Sequence, residues 1–325
     1  MKQSIPGIAV TSLAALSLLA STGAMAQAYP NKIVRFIVPF PPGAGADTTV
    51  RLFTPKLTEL FGQQVIVDNR AGAAGNIGAE AASKAVPDGY TMLVAPSSLA
   101  TSQSLYKDLK FDITRDFSPV AMLASAPFVM AIHPSVPAKT VKEFIAYTKA
   151  NPGKVNFAST GTGGINHLSG ELFKSLAGVN IVHVAYKGTN TAVPDLIAGQ
   201  VQLMFTSTVS SLPHVRTGKL HALAVTGLKR SSAAPEIPTV AESGVPDYES
   251  ATWFALVGPS GTPPAIVNSL HAAVMKVANA PDIKDALSKQ GAEPSAMSPE
   301  QVGAYIRSEA VKWARVVKDA GVTLE

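Results

Sequence analysis

Short apolar runs alternate with longer amphipathic stretches along most of the chain. The short runs are rich in β-branched and aromatic residues, as buried strands are, whereas the amphipathic stretches are typical of surface helices. Alternation of strand and helix predicts an α/β fold built on a largely parallel sheet. The predicted strands cover residues 32–39, 64–68, 90–95, 117–124, 128–132, 154–158, 180–186, 201–205, 221–226 and 253–257.

Two of the predicted strands are followed by polar, glycine-rich loops that lead into helices. These loops are Phe40–Asp47, before a helix predicted over residues 48–61, and Ser159–Gly164, before one over residues 165–176. Such a loop leaves the first N–H groups of the helix unpaired at the positive end of its dipole, so it can hold an anion. Neither loop contains Lys or Arg or the Gly-Lys-Ser/Thr ending of a P-loop, which favours a small carboxylate over a nucleoside triphosphate. The alternative is an ordinary strand–helix turn.

The candidate ligand-binding residues lie in these two loops, in the helix after the second, and in polar segments after two other strands. Asp47 is expected to cap the first helix through its carboxylate. His167 stands one turn into the second helix, where it either reaches the ligand or has a packing or capping role. The full set is Phe40, Gly43, Ala44, Asp47, Ser97, Ser159, Thr160, Gly161, Thr162, Gly163, His167, Thr206 and Thr208.

The order strand, glycine loop, helix occurs near residue 43 and again near residue 161. This repetition predicts two similar α/β lobes whose helix N-termini face each other across a cleft. Residues 27–125 and 251–325 are assigned to lobe 1 and residues 126–250 to lobe 2, with a hinge at the two connections. Residues 1–26 have the positive start, apolar core and Ala-x-Ala ending of a secretory signal peptide.

The composition offers no catalytic centre, metal site or cofactor motif. The chain has no cysteine, its six histidines are dispersed, and it contains neither Gly-x-Ser-x-Gly nor His-Glu-x-x-His. The formal net charge is +5, but the basic residues are scattered, so nucleic-acid binding is not predicted. A monomeric, exported binding protein is therefore predicted. The alternatives are a hydrolase or isomerase that uses His167 with a loop serine or threonine, and a ligand-sensing partner of a signalling receptor.

Several motifs occur in a fixed order along the mature chain. They are Ile-Val-Pro-Phe-Pro-Pro-Gly at 37–43 with Asp47, the segment 65–78, Asn-Phe-Ala-Ser-Thr-Gly-Thr-Gly-Gly at 156–164 with His-Leu-Ser-Gly-Glu-Leu-Phe at 167–173, and Tyr-Lys-Gly at 186–188 with Asp-Leu-Ile-Ala-Gly-Gln-Val at 195–201. In this order they resemble the Bug-type periplasmic solute receptors of tripartite tricarboxylate transporter systems. The resemblance implies a two-lobe periplasmic binding protein (Venus flytrap) fold and a membrane transporter as partner. It also implies that the ligand carboxylate is gripped between Phe40–Asp47 and Ser159–Gly164 by backbone N–H groups and bridging waters.

The chain departs from this family after the strand at 201–205. The family usually has an acidic residue there, whereas this chain has Thr206-Ser-Thr208. An aspartate would favour a ligand amine, but neutral hydroxyls can donate to a second acid or to an amide. The departure therefore predicts a di- or aromatic carboxylate rather than an amino acid, with Thr206 and Thr208 near its far end. The alternative is that Thr206 only caps the following segment.

Overall fold

A computed structural model describes residues 29–324, so the predicted signal peptide at 1–26 lies outside the described residues. Strands and helices alternate as the sequence predicts. The strands are β1 Val34–Val38, β2 Val65–Asn69, β3 Thr91–Pro96, β4 Phe117–Ile132, β5 Asn156–Ser159, β6 Val182–Ala185, β7 Leu203–Ser207, β8 His221–Val225 and β9 Ala251–Pro259. The helices are α1 Gly45–Phe61, α2 Asn76–Ser83, α3 Ser98–Leu105, α4 Val141–Ala150, α5 Ile165–Ala177, α6 Thr189–Ile197, α7 Thr208–Arg216, α8 Pro264–Ala278, α9 Pro281–Lys289 and α10 Pro299–Asp319.

The described strands form a sheet with two halves of matching order. The first half runs β2-β1-β3-β9-β4, and the second runs β6-β5-β7-β4-β8. In each half three parallel strands, each followed by a helix, lie beside two further strands. These two strands run antiparallel to each other, and the nearer one is also antiparallel to its neighbour among the three. The loop before α1 and the loop before α5 therefore occupy equivalent positions, and the carboxyl ends of the parallel strands in both halves open toward each other.

The sequence predicted two strands at 117–124 and 128–132, but the structure has the single strand β4. Its first part, Phe117–Pro127, pairs with β9, and its last part, Phe128–Ile132, pairs with β7. The link at Ala126–Pro127 stays extended because β9 pairs with it up to its own first residue. The chain returns to the first half at Ser250–Ala251. We call Pro127–Phe128 and Ser250–Ala251 the crossover segments. The predicted lobe boundaries fall beside them, and the division into two moving lobes stays a prediction.

Helix α10 packs against both halves, since it contacts α3 in the first and α5 in the second. It is anchored through Glu309, whose carboxylate accepts hydrogen bonds of 3.0 Å from the indole N–H groups of Trp253 and Trp313. Both tryptophans are fully buried. None of the helices within residues 29–324 is long and apolar enough to cross a membrane.

Candidate functional site

A cavity of about 370 Å³ lies between the two halves, at the carboxyl ends of the parallel strands. Ligands of open α/β sheets bind at this position. Five helices direct their N-termini at it. The lining residues are Phe40, Ala44, Gly45, Ala46, Pro96, Ser97, Ser98, Phe128, Thr160, Ile165, Asn166, Thr189, Met204, Phe205, Thr206, Ser207, Thr252 and Phe254.

No side chain among those lining residues carries a charge, so the cavity owes its polarity to backbone ends and hydroxyls. The helices α1 and α3 come from the first half, and α5, α6 and α7 from the second. Each helix N-terminus concentrates roughly half a positive charge on its unpaired N–H groups. Several of these together make the cavity attractive to an anion without any cationic side chain.

The first loop is stabilised by the carboxylate of Asp47, which does not line the cavity. The N-cap of α1 is Ala44, so Asp47 stands at the third helical position instead of capping the helix as predicted. Its carboxylate accepts from the Gly43 N–H at 2.9 Å and from the Arg51 guanidinium at 2.9 Å. Asn69 donates 3.0 Å hydrogen bonds to Asp47 and to the Phe40 carbonyl. The N–H groups of the first helical turn have no side-chain cap and remain available to a ligand.

Asp47 is a charged bracing group and is not part of the cavity wall. It is 2% exposed. Burial by itself would raise the pKa of Asp47, but the hydrogen bonds from Arg51, Gly43 and Asn69 outweigh burial and lower the pKa to about 2. Its negative charge is matched by Arg51, which therefore limits its repulsion of an anion in the cavity. Gly43, another predicted contact, also lies outside the cavity lining. Its φ of 84° and its N–H bond to Asp47 shape the loop instead.

The second loop has the same plan with a different brace. The N-cap of α5 is Gly164, and the N–H of Gly163 donates to Nδ1 of His167, again four residues further on, at 3.0 Å. Asn166 accepts hydrogen bonds from the Thr160 hydroxyl at 3.2 Å and the His167 N–H at 3.1 Å. Ser159 lies under the loop and is fully buried; its hydroxyl accepts from the Gly161 N–H at 3.1 Å. Ser159 supports the loop and does not line the cavity.

His167 does not reach the cavity, so the expectation that it contacts ligand is corrected. Its ring is buried behind the loop and stacks on His183 with a centroid distance of 3.7 Å. Burial, followed by the charges of His183 and Lys174, lowers the pKa of His167 to about 3. The Glu171 carboxylate lies 3.8 Å from its Nε2 but is engaged by Lys174 at 2.8 Å. His167 is therefore a neutral acceptor for a backbone N–H, a role that disqualifies it as a base for a bound substrate.

The remaining predicted residues divide between the cavity and its surroundings. Ser97 and Thr206 line the cavity, and within residues 29–324 neither hydroxyl has a hydrogen-bond partner. Thr208 does not line it, because β7 runs on to Ser207 and the turn of α7 carries Thr208 against Gly291 of the first half. The stretch Gly161–Gly163 borders a neighbouring space of about 200 Å³, which shares Ser98 and Thr160 with the cavity.

Five predicted residues line the cavity: Phe40, Ala44, Ser97, Thr160 and Thr206. Capping of α7 is provided by Ser207, whose hydroxyl accepts from the Ser210 N–H at 3.2 Å, so Thr206 is free of that role.

Sequence reasoning missed the apolar part of the wall, which comes from Phe40's aromatic neighbours Phe128 and Phe254 together with Met204. Phe128 stands at a crossover segment and Phe254 in the central strand β9. Only the meeting of the two sheet halves brings them together. Asn166 could have been found, since the second position of a helix that follows a glycine loop faces the same space as the loop.

A family model described as "Tripartite tricarboxylate transporter family receptor" matches residues 49–322. The chain belongs to this family. Protein BugT of Bordetella pertussis is 37% identical to the receptor over 302 residues, which cover 92% of this chain and 93% of BugT. The structure of Rpa4515 from R. palustris with adipate is 35% identical, has a TM-score of 0.73 and spans 91% of this chain and 100% of that one. The periplasmic binding protein BugD is 32% identical with a TM-score of 0.70, over 91% and 100% of the two chains.

These relatives confirm the two-lobe periplasmic binding protein fold and the resemblance drawn from the sequence motifs. They also show that the receptor is a solute-binding component of a transporter system and not an enzyme. The hydrolase or isomerase reading is thereby set aside. It also loses its proposed base, because His167 lies behind the loop.

Proposed function

We propose that this receptor binds a carboxylated solute between its two halves and delivers it to the membrane subunits of a tripartite tricarboxylate-type transporter. The observation that carries the proposal is the pair of uncapped helix N-termini, α1 and α5, that face one cavity from opposite halves. Peptide N–H groups at these positions match the lone pairs of a carboxylate. Rpa4515, a relative, has been solved with adipate, a dicarboxylate.

A second acidic group on the ligand has donors available deeper in the cavity. The hydroxyls of Ser97 and Thr206 come from the strand ends of β3 and β7, which are equivalent positions in the two halves. The cavity lining contains no acidic side chain that could balance a ligand ammonium group. An amino acid would leave its ammonium without an acidic partner in the cavity, which costs several kcal/mol. A dicarboxylate or an aromatic carboxylate is therefore favoured.

The apolar wall sets the character of the ligand between its polar groups. Phe40, Phe128, Phe254 and Met204 offer rings and a thioether to the cavity, so the ligand body is hydrocarbon in character. Unbranched methylene chains and aromatic rings both fit such a surface, and each methylene buried contributes about 0.8 kcal/mol. A heavily hydroxylated acid would leave its hydroxyls unpaired against these rings.

The same proposal includes the cellular location, the oligomeric state and the domain motion of the receptor. The chain is exported by the signal peptide at 1–26, acts in the periplasm as a monomer, and uses no cofactor and no nucleic acid. The two lobes, 27–125 with 251–325 and 126–250, close on the ligand by rotation about the crossover segments, as domain closure with few connections allows.

The substitution Thr206→Asp tests the proposed ligand class. By isothermal titration calorimetry, adipate and benzoate should bind the wild-type receptor, and a zwitterion such as leucine should bind far more weakly. Thr206→Asp should weaken adipate binding by about tenfold to a hundredfold, because a second carboxylate in a low-dielectric cavity repels the first. Thr206→Ser, which keeps the hydroxyl, serves as the control. Preference of the wild-type receptor for leucine over both acids would overturn the proposal.

A further inference from the structure

Three buried hydroxyls connect the ligand-facing end of α5 to both crossover segments. They belong to Ser169 on α5, Ser250 at the second crossover segment and Thr226 just after β8, and all three side chains are 0% exposed. We call them the hydroxyl chain. A buried hydroxyl is retained only when its hydrogen bonds are made, so the partners of each one define its role.

The first link joins α5 to the second crossover segment. Ser169 donates to the carbonyl of Ile165 at 2.7 Å, and its oxygen lies 2.5 Å from the hydroxyl of Ser250. A serine hydroxyl has a single proton. Because Ser169 uses its proton on Ile165, Ser250 must be the donor in the serine–serine hydrogen bond. Ile165 is the first residue of α5 and lines the cavity.

The second link joins the two crossover segments to each other. The Thr226 hydroxyl donates to the carbonyl of Ser250 at 2.5 Å and accepts from the N–H of Phe128 at 2.7 Å. Its backbone completes the tie, since the Thr226 N–H donates to Phe128 and the Ser250 N–H donates to Thr226, each at 2.9 Å. Thr226 thus holds both places where the chain passes between the halves, and Phe128 itself lines the cavity.

We propose that the hydroxyl chain of Ser169, Ser250 and Thr226 positions the crossover segments relative to the helix end that receives the ligand, and so sets the equilibrium between open and closed lobes. Both ends of the hydroxyl chain connect to residues that line the cavity, Ile165 and Phe128. A change in the position of α5 on ligand capture is passed to both crossover segments through fixed hydrogen bonds. The coupling to ligand rests on the proposed function, whereas the positioning of the crossover segments does not.

The decisive variant is Thr226→Val, which keeps the shape of the side chain and removes the bonds to Phe128 and Ser250. A matched control is Thr148→Val, because Thr148 is equally buried but bonds only within α4, to Phe144 and Ile145. Both variants lose a buried hydroxyl, so any change that comes from this loss alone is seen in both. Thr226→Ser keeps the hydroxyl and should restore wild-type behaviour.

The readout is the distance between spin labels on Glu59→Cys and Lys219→Cys, measured by pulsed electron paramagnetic resonance. The two sites are exposed and lie in opposite halves, and the chain has no native cysteine. Thr226→Val should broaden the distance distribution of the ligand-free protein and weaken adipate binding by about tenfold. Thr148→Val should leave both quantities at their wild-type values.

Ser250→Ala gives a second, milder break, since it removes only the link to Ser169 and keeps the carbonyl that Thr226 bonds. It should move both readouts in the same direction as Thr226→Val. Wild-type distances in Ser250→Ala and Thr226→Val would overturn the inference, as would equal changes in Thr148→Val. If adipate fails to bind the wild-type receptor, the proposed ligand is wrong, and the distances in the ligand-free protein still decide the role of the hydroxyl chain.

Discussion

The loops before α1 and α5 share one backbone plan but are stabilised by opposite chemistry. In each, a glycine with positive φ, 84° at Gly43 and 78° at Gly163, donates its N–H to a side chain four residues ahead. In the first loop that acceptor is a buried, charged carboxylate, Asp47; in the second it is a buried, neutral imidazole, His167. The backbone geometry shared by the two loops is thus compatible with different bracing side chains, provided that the side chain does not enter the cavity.

The difference matters because the two braces respond differently to substitution. Asp47 serves several donors at once, whereas His167 serves the Gly163 N–H and packs against His183. Removing Asp47 leaves a cation and two N–H groups without their acceptor. Removing His167 leaves the Gly163 N–H without its acceptor and leaves a gap beside the ring of His183. The first loop should therefore be the more fragile under substitution and the second the more fragile under acid.

The largest effect is expected from Asp47→Ala. The substitution removes the carboxylate that accepts hydrogen bonds from the Gly43 N–H, Asn69 and Arg51. It should therefore lower the free energy of unfolding by about 3 kcal/mol. Urea unfolding measures this loss. The control is Glu80→Ala, which breaks an exposed pair with Lys84 and should cost less than about 0.5 kcal/mol. Similar costs in the two variants would contradict the bracing role of Asp47.

The second prediction concerns acid. The pKa of His167 in the folded protein, about 3, lies below its ordinary value of 6.5. Between these two pH values the unfolded chain binds a proton at His167 that the folded chain does not bind. Stability should fall as pH drops below about 6.5, by about 1.4 kcal/mol per pH unit for this group. Asp47, with its pKa lowered to about 2 from 3.8, should hold its contribution until the pH falls below its ordinary value.

The substitution His167→Asn tests this assignment, because an asparagine oxygen can still accept from Gly163 but does not titrate in this range. Urea unfolding at several pH values should give a shallower loss of stability below about pH 6.5 in the variant than in the wild type. The charged groups that face the ring are Glu171, Lys174 and His183. An unchanged slope in the variant would assign the acid sensitivity to His183, whose pKa burial lowers to about 4.

The smallest effect separates the two loop glycines. Alanine at either position is strained by the positive φ, at a cost of about 1 kcal/mol. A Cβ at Gly43 would meet nothing within 4 Å, whereas one at Gly163 would lie 3.0 Å from Leu105 and 3.1 Å from Leu324. Gly163→Ala should therefore lower the unfolding midpoint more than Gly43→Ala. The reverse order would show that the two loops are not equivalent in backbone conformation.

Much of this arrangement could be predicted from sequence because glycine loops between strand and helix are a local signal. Both loops were found in this way, whereas Thr206 was singled out because it stands where the family usually has an acidic residue. The role of Asp47 was wrong in detail because the helix start was placed three residues too late: the helix begins at Gly45, and a carboxylate at the third helical position reaches back to the loop. That shift of three residues moves Asp47 from the N-cap to a position inside the helix that stabilises the loop.

Other features depend on contacts that are distant in sequence. Thr208 turned away from the cavity because β7 is longer at its carboxyl end than its apolar run, which stops at Phe205. Phe128 and Phe254 meet only through the pairing of β4, β7 and β9 across the two halves. The hydroxyl chain joins residues separated by 24, 81 and 98 positions, so no window along the sequence contains it.

The lack of charged side chains in the cavity has a consequence for the conditions under which capture works. Peptide N–H groups and hydroxyls keep the same protonation state across the range in which a histidine or a carboxylate would change charge. The cavity wall should therefore keep its charge state as the pH falls, and we expect the limit to come from the scaffold behind it, where protonation of His167 destabilises the fold. We therefore expect acid to weaken solute capture through loss of scaffold stability and not through a change of charge on the cavity wall.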